Sequence, residues 1–229
     1  MEISKPMRFA LLLAVVMAAA IAACGGTEDA ADGSRAPEVV VAALGDSITA
    51  GTPLWDPDPA LRSQIPVPDR RSQYEYWAER ALPGTDFRNC GVPGERTDEI
   101  AARLEACADG ADVVIVQGGV NDISQGIAPA PAARNLRAMV RRGKRLGLRV
   151  AIVELLPWNG GYPSVDRPIR DLNRRIARIG SEEDVPVLPW YHELEDPRQP
   201  GRMRVDLTID LTHPSVKGYR RLGESVELP

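Results

Sequence analysis

A serine hydroxyl is a weak nucleophile, so a chain that uses one must also supply a base to take its proton. Two histidines, His192 and His213, are present in the 229 residues. His213 stands three residues after Asp210 and directly before Pro214. In an extended or turn segment that spacing lets the Asp210 carboxylate fold back on the imidazole, fix its tautomer and stabilise the imidazolium. His192 is the rival base, but it follows Pro189-Trp190-Tyr191, where packing or surface exposure is expected. Ser47 lies in Gly45-Asp46-Ser47-Ile48, directly behind an apolar run, and Asn121 lies in Gly119-Val120-Asn121-Asp122 behind another. Asn121 offers an uncharged side-chain amide as a hydrogen-bond donor.

These residues are useful only if the fold brings them together, and the hydrophobic pattern says how. Residues 39–44, 113–117 and 150–155 are apolar, β-branched runs that each stop at glycine or proline or just before it, as strands buried on both faces do. Residues 185–188 and, more weakly, 85–89 are further strand candidates. Helical spacing marks 72–82, 97–108, 132–146 and 167–179, with Ile169, Leu172, Ile176 and Ile179 recurring every three or four residues, and a last helix follows Ser215. Alternating strands and helices predict an α/β domain with a parallel sheet covered on both faces, and ligands bound beyond the carboxyl ends of its strands. The proline-rich stretch 52–68 reads as one long loop on that side.

Four segments fall at those strand ends or near the C-terminus: Gly45 to Ile48, Gly91 to Gly94, Gly119 to Asp122, and Asp210 to Pro214. In order and position they resemble the blocks of the SGNH, or GDSL, hydrolase family, over nearly the whole stretch from Val39 to Tyr219. The resemblance implies a three-layer α/β/α domain with a flavodoxin-like sheet. It also implies a serine esterase that works through an acyl-enzyme, with Ser47 as nucleophile and Asp210 and His213 as its activating pair. The implied oxyanion donors are the backbone N–H groups of Ser47 and Gly94 and the Asn121 side chain, with Gly91 as the rival to Gly94. Two details depart from the family pattern: Gly119-Val120-Asn121 replaces the commoner glycine-threonine-asparagine or double-glycine-asparagine, and no glycine follows Asp210 in Asp210-Leu211-Thr212-His213. The Gly-x-Ser-x-Gly elbow of α/β-hydrolases is absent. The same residues would also serve an acyltransferase or a glycan deacetylase, and a tethered binding module that has lost catalysis is the reading from another class. Asp122 and Glu154 are carboxylates without the spacing of a glycosidase pair.

Composition narrows the rest. A hydrophobic fraction of 44%, 26% charged residues and a net charge of -4 describe an ordinary globular chain that needs no metal or dense disulfide framework to fold. The basic residues are mixed with acidic ones apart from Arg141, Arg142, Lys144 and Arg145, a solvated helix end, so nucleic acid is not an expected partner. No histidine, cysteine and carboxylate cluster has metal-ligand spacing and no lysine-bearing phosphate loop is present, which predicts cofactor-free chemistry on a small-molecule, glycan or lipid ester. Lys5 and Arg8 precede the apolar run 9–23, the pattern of a secretory signal. Ile21-Ala22-Ala23-Cys24 resembles a bacterial lipobox, which implies cleavage before Cys24 and a lipid anchor on it. The expected organisation is a signal peptide at 1–23, a lipidated cysteine and flexible tether at 24–37, and a hydrolase domain at 38–229, exported and facing outside the cytoplasm. In that setting Cys90 and Cys107 are candidates for a disulfide. Among the aromatic residues, Trp55 and Trp158 follow strands and are pocket candidates, Trp77 is expected to pack, and Tyr162 and Trp190 fit either role. Nothing in the sequence sets the oligomeric state.

Overall fold

The computed structural model describes residues 39–229, so the expectations for the signal peptide, Cys24 and the tether lie outside the described residues. The chain runs β1 (Val39–Gly45), α1 (Ser47–Ala50), α2 (Pro59–Arg62), α3 (Tyr74–Ala81), β2 (Thr85–Gly91), α4 (Thr97–Ala102), α5 (Leu104–Ala108) and β3 (Val113–Val116). It continues through α6 (Val120–Ser124), α7 (Pro129–Arg145), β4 (Arg149–Val153), α8 (Asp166–Glu183), β5 (Val187–Leu188), α9 (Trp190–Leu194) and α10 (Val216–Glu224). The five strands form one sheet in the order β2-β1-β3-β4-β5, and every pairing is parallel. This is the flavodoxin-like order, and its topological switch point lies at β1, the strand that leads into Ser47.

Strand periodicity builds the two outer layers. Ala42, Leu44, Val114, Val116, Val150 and Ile152 point to one face, where α4, α5, α7 and α8 bury Ile100, Leu104, Leu136, Met139, Leu172 and Ile176. Val41, Ala43, Val113, Ile115, Ala151 and Val153 point to the other, under Tyr74, Trp190, Leu194, Tyr219 and Leu222 of α3, α9 and α10. Burying each large aliphatic side chain contributes roughly 1.5–3 kcal/mol, and these two clusters cover β1 on both faces between β2 and β3. The three-layer α/β/α domain expected from the sequence is the fold observed.

Several boundaries differ from the periodic reading, each for a local reason. The helix expected over 97–108 is divided at Arg103, which takes φ -97° and ψ -4° while its guanidinium turns toward the sheet. The first turn of α7 starts at Pro129, where a missing N–H costs nothing because no helical partner exists for it. β5 is only two residues long because Pro186 precedes it. The stretch 52–68 contains the helical turn α2, whose N-terminus is capped by the Asp58 carboxylate accepting from the Ala60 N–H at 2.8 Å.

Candidate active site

Ser47 is the first residue of α1, just past the end of β1, an interior strand of the sheet. Asp46 caps this short helix: its Oδ1 accepts the Ile48 N–H at 2.9 Å. Gln117, at the end of β3, accepts the Asp46 N–H at 3.1 Å and the Thr49 hydroxyl at 2.9 Å through the same Oε1. Asp46 and Thr49 are fully buried and Ser47 is 8% exposed, so the turn is set by buried hydrogen bonds on every side. Burial pushes the Asp46 carboxyl up to about 6, against the opposing effect of its hydrogen bonds. Asp46 shapes the turn that carries Ser47.

The opposing group comes from the segment before α10. His213 Nε2 stands 3.0 Å from Ser47 Oγ, and His213 Nδ1 stands 2.7 Å from Asp210 Oδ2. The other Asp210 oxygen accepts the backbone N–H groups of Thr212 at 2.9 Å and His213 at 2.6 Å, so one carboxylate folds the loop and faces the ring. Burial alone would raise the Asp210 carboxyl, but the hydrogen bonds from the His213 backbone and imidazole and from Thr212 outweigh it and hold it below the ordinary carboxylate value. Thr212 Oγ1 accepts from Trp158 Nε1 at 3.0 Å, and the Leu211 carbonyl accepts the Gly160 N–H at 2.8 Å, which moors the loop to the segment after β4. Leu211 has a φ of 69°, the left-handed conformation that a glycine would take without strain. His192 sits elsewhere, with its imidazole 3.6 Å from Glu195, and does not line the Ser47 pocket.

Another part of the wall around Ser47 comes from the segments after β2 and β3. Gly94 has a φ of 85° and faces open space, and it lines the same pocket as Ser47. Gly91 does not: a Cβ there would lie 2.0 Å from the Ala50 nitrogen, so this glycine lets α1 close onto β2. Asn121 Nδ2 donates to the Glu95 carbonyl at 2.8 Å, which ties the Asn121 amide to the Gly94 loop and leaves its second N–H without a protein acceptor among the described residues. Asp122 is buried and accepts from Thr97 N at 2.9 Å and Thr97 Oγ1 at 2.7 Å, capping α4. Arg103 binds the Glu95 carboxylate and also donates to the Cys90 carbonyl at 2.8 Å and the Gly45 carbonyl at 3.1 Å, joining the Gly94 loop to the end of β1. The break between α4 and α5 is what frees Arg103 for this contact. A disulfide joins Cys90 and Cys107 with their Cα atoms 6.0 Å apart, fastening β2 to α5 behind it.

The cavity over Ser47 measures about 280 Å³ and is mostly apolar, with Val120, Leu155, Leu156, Pro157, Trp158 and Trp190 among its walls. Glu154 is its only carboxylate and is half-buried. Trp158 therefore lies where expected, but Trp55 does not: it stacks under Arg62 with the guanidinium 4.7 Å from its ring and lines a separate cavity beside β2. The loop that carries Trp55 turns away from Ser47 after Thr52. Trp77 packs against α10, with Arg220 over its ring, and Tyr162 sits under Arg202. Sequence reasoning missed Gln117, Arg103, Thr212 and the Leu155-Leu156 wall. Gln117 and the leucines stand at the carboxyl ends of β3 and β4, a position that marks ligand contacts in parallel sheets, whereas nothing local announces Arg103. No group of residues able to hold a metal ion occurs among the described residues.

Similarity to known proteins agrees with this geometry. The profile of the GDSL-like Lipase/Acylhydrolase family matches residues 43–221. Esterase TesA of Pseudomonas aeruginosa is 27% identical over 148 residues, which cover 62% of this chain and 69% of that protein. Among solved structures, a lipolytic protein of the G-D-S-L family from Desulfitobacterium hafniense superposes with a TM-score of 0.67 at 19% identity, covering 82% of this chain and 97% of the other. A variant of an acetyl-xylooligosaccharide esterase from Geobacillus gives 0.65 at 19% identity, covering 82% of this chain and 92% of the other.

Proposed function

The chain belongs to the GDSL-like Lipase/Acylhydrolase family, and on that premise we propose that it is an exported serine esterase acting on an ester of a short acyl group through an acyl-enzyme. The observation that carries the reading is the continuous line from Asp210 Oδ2 through the His213 imidazole to Ser47 Oγ, with both hydrogen bonds no longer than 3.0 Å. Ser47 Oγ attacks the ester carbonyl as His213 Nε2 takes its proton, and the new C–O bond leaves a tetrahedral intermediate. The N–H groups of Ser47 and Gly94 and the Asn121 amide donate to its oxyanion. Collapse breaks the bond to the alcohol, which leaves with the proton held by His213. Water then adds to the acyl-enzyme, giving its proton to His213, and the second collapse returns that proton to Ser47 as the acid departs. Asp210 stays ionised throughout and holds the Nδ1 proton in place.

Two other acyl acceptors and donors suit the same residues: an alcohol in place of water, and an acetyl group carried by a glycan as the ester. The deacetylase reading is favoured by the Glu154 carboxyl, which makes the pocket a poor match to a long aliphatic chain. Export is supported by the disulfide, which persists in oxidising compartments, together with the charged and apolar N-terminal pattern. The anchor on Cys24, the tether at 24–37 and the domain start at 38 remain part of this proposal.

The test is hydrolysis of p-nitrophenyl acetate and butanoate by the purified protein beside Ser47→Ala, with an acetylated oligosaccharide and an alcohol acceptor as further substrates. Turnover is expected to fall by roughly 10⁴-fold or more in the variant, with the melting temperature unchanged. Equal rates in the two proteins would refute the assignment, and acylated acceptor in excess of free acid would move the reading to a transferase.

A further inference from the structure

Glu154 lies one residue past β4, and its backbone N–H still donates to the Leu188 carbonyl at 3.1 Å, so the residue is held at the carboxyl edge of the sheet. Glu154 lines the Ser47 cavity. It also lines a second cavity of about 240 Å³, together with Arg170, Asn173, Arg174, Ala177, Tyr191 and His192. Glu154 is the only residue that lines both. Its Oε2 accepts the Tyr191 N–H at 3.3 Å, which pins the side chain across the gap. Beside it Asn173 is nine-tenths buried and clasps the backbone of Leu155, accepting its N–H at 2.8 Å and donating to its carbonyl at 3.0 Å. The wall on either side of Glu154 is therefore fixed backbone and packed side chain, and the Glu154 side chain is the removable part.

We propose that Glu154 is the partition that ends the acyl pocket, limiting the ester's acyl group to short chains by closing the pocket's path into the cavity behind it. This rests on the acyl-hydrolase reading above and adds a substrate limit to it. An aliphatic chain that extends past Leu155 meets a carboxyl group already bonded to Tyr191, and gains no apolar burial to offset displacing it. Acyl groups of two to four carbons are the ones this limit is expected to admit. Burial raises the Glu154 carboxyl above its ordinary value, which keeps a larger fraction of it uncharged beside the apolar walls. Truncating the side chain to a methyl joins the two cavities and opens room for a longer chain along Ala177 of α8.

The experiment compares kcat/KM for p-nitrophenyl acetate, butanoate, hexanoate and octanoate in wild type, Glu154→Ala, Glu154→Gln and Glu154→Ala/Ala177→Phe. Wild type is expected to prefer acetate or butanoate. Glu154→Ala should raise the octanoate-to-butanoate ratio by about tenfold, the discrimination that apolar pockets give for added methylenes. Glu154→Gln keeps the wall and should leave the ratio near that of wild type, and Ala177→Phe in the Ala background should return it by filling the second cavity. Glu154→Ser replaces the Ala variant if that protein does not fold. An unchanged ratio in a folded Ala or Ser variant, or a wild type that already prefers octanoate, overturns the proposal. Labelling of Ser47 by a fluorophosphonate, run on every variant, separates the two failures: normal labelling with an unchanged ratio refutes the partition alone, whereas a wild type that is not labelled refutes the hydrolase reading beneath it.

Discussion

The two halves of the Ser47–His213 pair are held in place by opposite means. Ser47 stands on a turn whose neighbours Asp46, Thr49 and Gln117 are buried and bonded to one another, behind a strand that is sheathed on both faces. His213 stands in an irregular segment between Leu207 and α10, where Ile209 is 45% exposed and Leu211 52% exposed. Its shape comes from short-range hydrogen bonds: Asp210 to two backbone N–H groups, Ile209 N–H to the His213 carbonyl at 3.0 Å, and Thr208 Oγ1 to the same carbonyl at 2.9 Å. Ser47 is positioned by the core, and His213 by a few bonds near the surface. Damage to the buried residues that hold the Ser47 turn should therefore register in stability, and damage to the loop that holds His213 in turnover.

The largest expected effect that sharpens this contrast is Asp210→Asn. The Asn Oδ1 can still accept from Thr212 and His213 and keep the loop folded, but its Nδ2 would then face His213 Nδ1 and favour the wrong tautomer. We expect kcat for a short-chain ester to fall by roughly 10²–10⁴-fold with little change in melting temperature. A large loss of thermal stability with modest loss of turnover would break the comparison.

Next comes Asp46→Asn on the buried side. With its carboxyl at about 6 instead of the ordinary 3.8, the native chain keeps a proton that the unfolded chain releases. Stability from this group is greatest below about pH 4 and declines as pH rises toward 6, by roughly 3 kcal/mol in total. Asn retains the cap to Ile48 and cannot ionise, so denaturant unfolding of the variant should show a flatter pH dependence over that window. A slope equal to that of wild type would contradict the buried-turn account.

Two smaller effects concern the moorings of the exposed loop. Thr212→Val removes the acceptor for Trp158 Nε1, a bond worth about 1 kcal/mol, and should lower kcat by about three- to tenfold while global stability moves little. Leu211→Gly should relieve the cost of a left-handed backbone, about 1–2 kcal/mol, offset in part by the greater freedom of glycine in the unfolded chain. A gain of up to about 1 kcal/mol in unfolding free energy is expected, read by urea denaturation. A clear destabilisation would mean that the exposed Leu211 side chain packs in solution.

The same division explains what could be read from the sequence. The strands β1, β3 and β4 announce themselves because a strand covered on both faces must be apolar at every position, and α8 because one face repeats Ile169, Leu172, Ile176 and Ile179. The sites at Ser47 and Asn121 follow from their places after such strands. What periodicity does not carry is anything fixed by a single long-range contact. The helix break at Arg103 goes with its bonds to the carbonyls of Cys90 and Gly45 on two strands, and the stacking of Arg62 on Trp55 lies within an irregular loop that has no period at all. α1 and α6 are too short to show a period, although each presents a site residue at its start. The missing glycine after Asp210 is a departure from the family pattern in residue type only, since Leu211 adopts the backbone conformation that a glycine would supply.

Whether Ser47 is a nucleophile activated by His213 is tested most directly by covalent trapping. The purified protein is treated with a fluorophosphonate and the modified peptide is identified by mass spectrometry, beside His213→Ala. One adduct on Ser47, formed at least about a hundredfold more slowly in the His213 variant, is the predicted result. A folded wild-type protein that forms no adduct, or one on another residue, would contradict it.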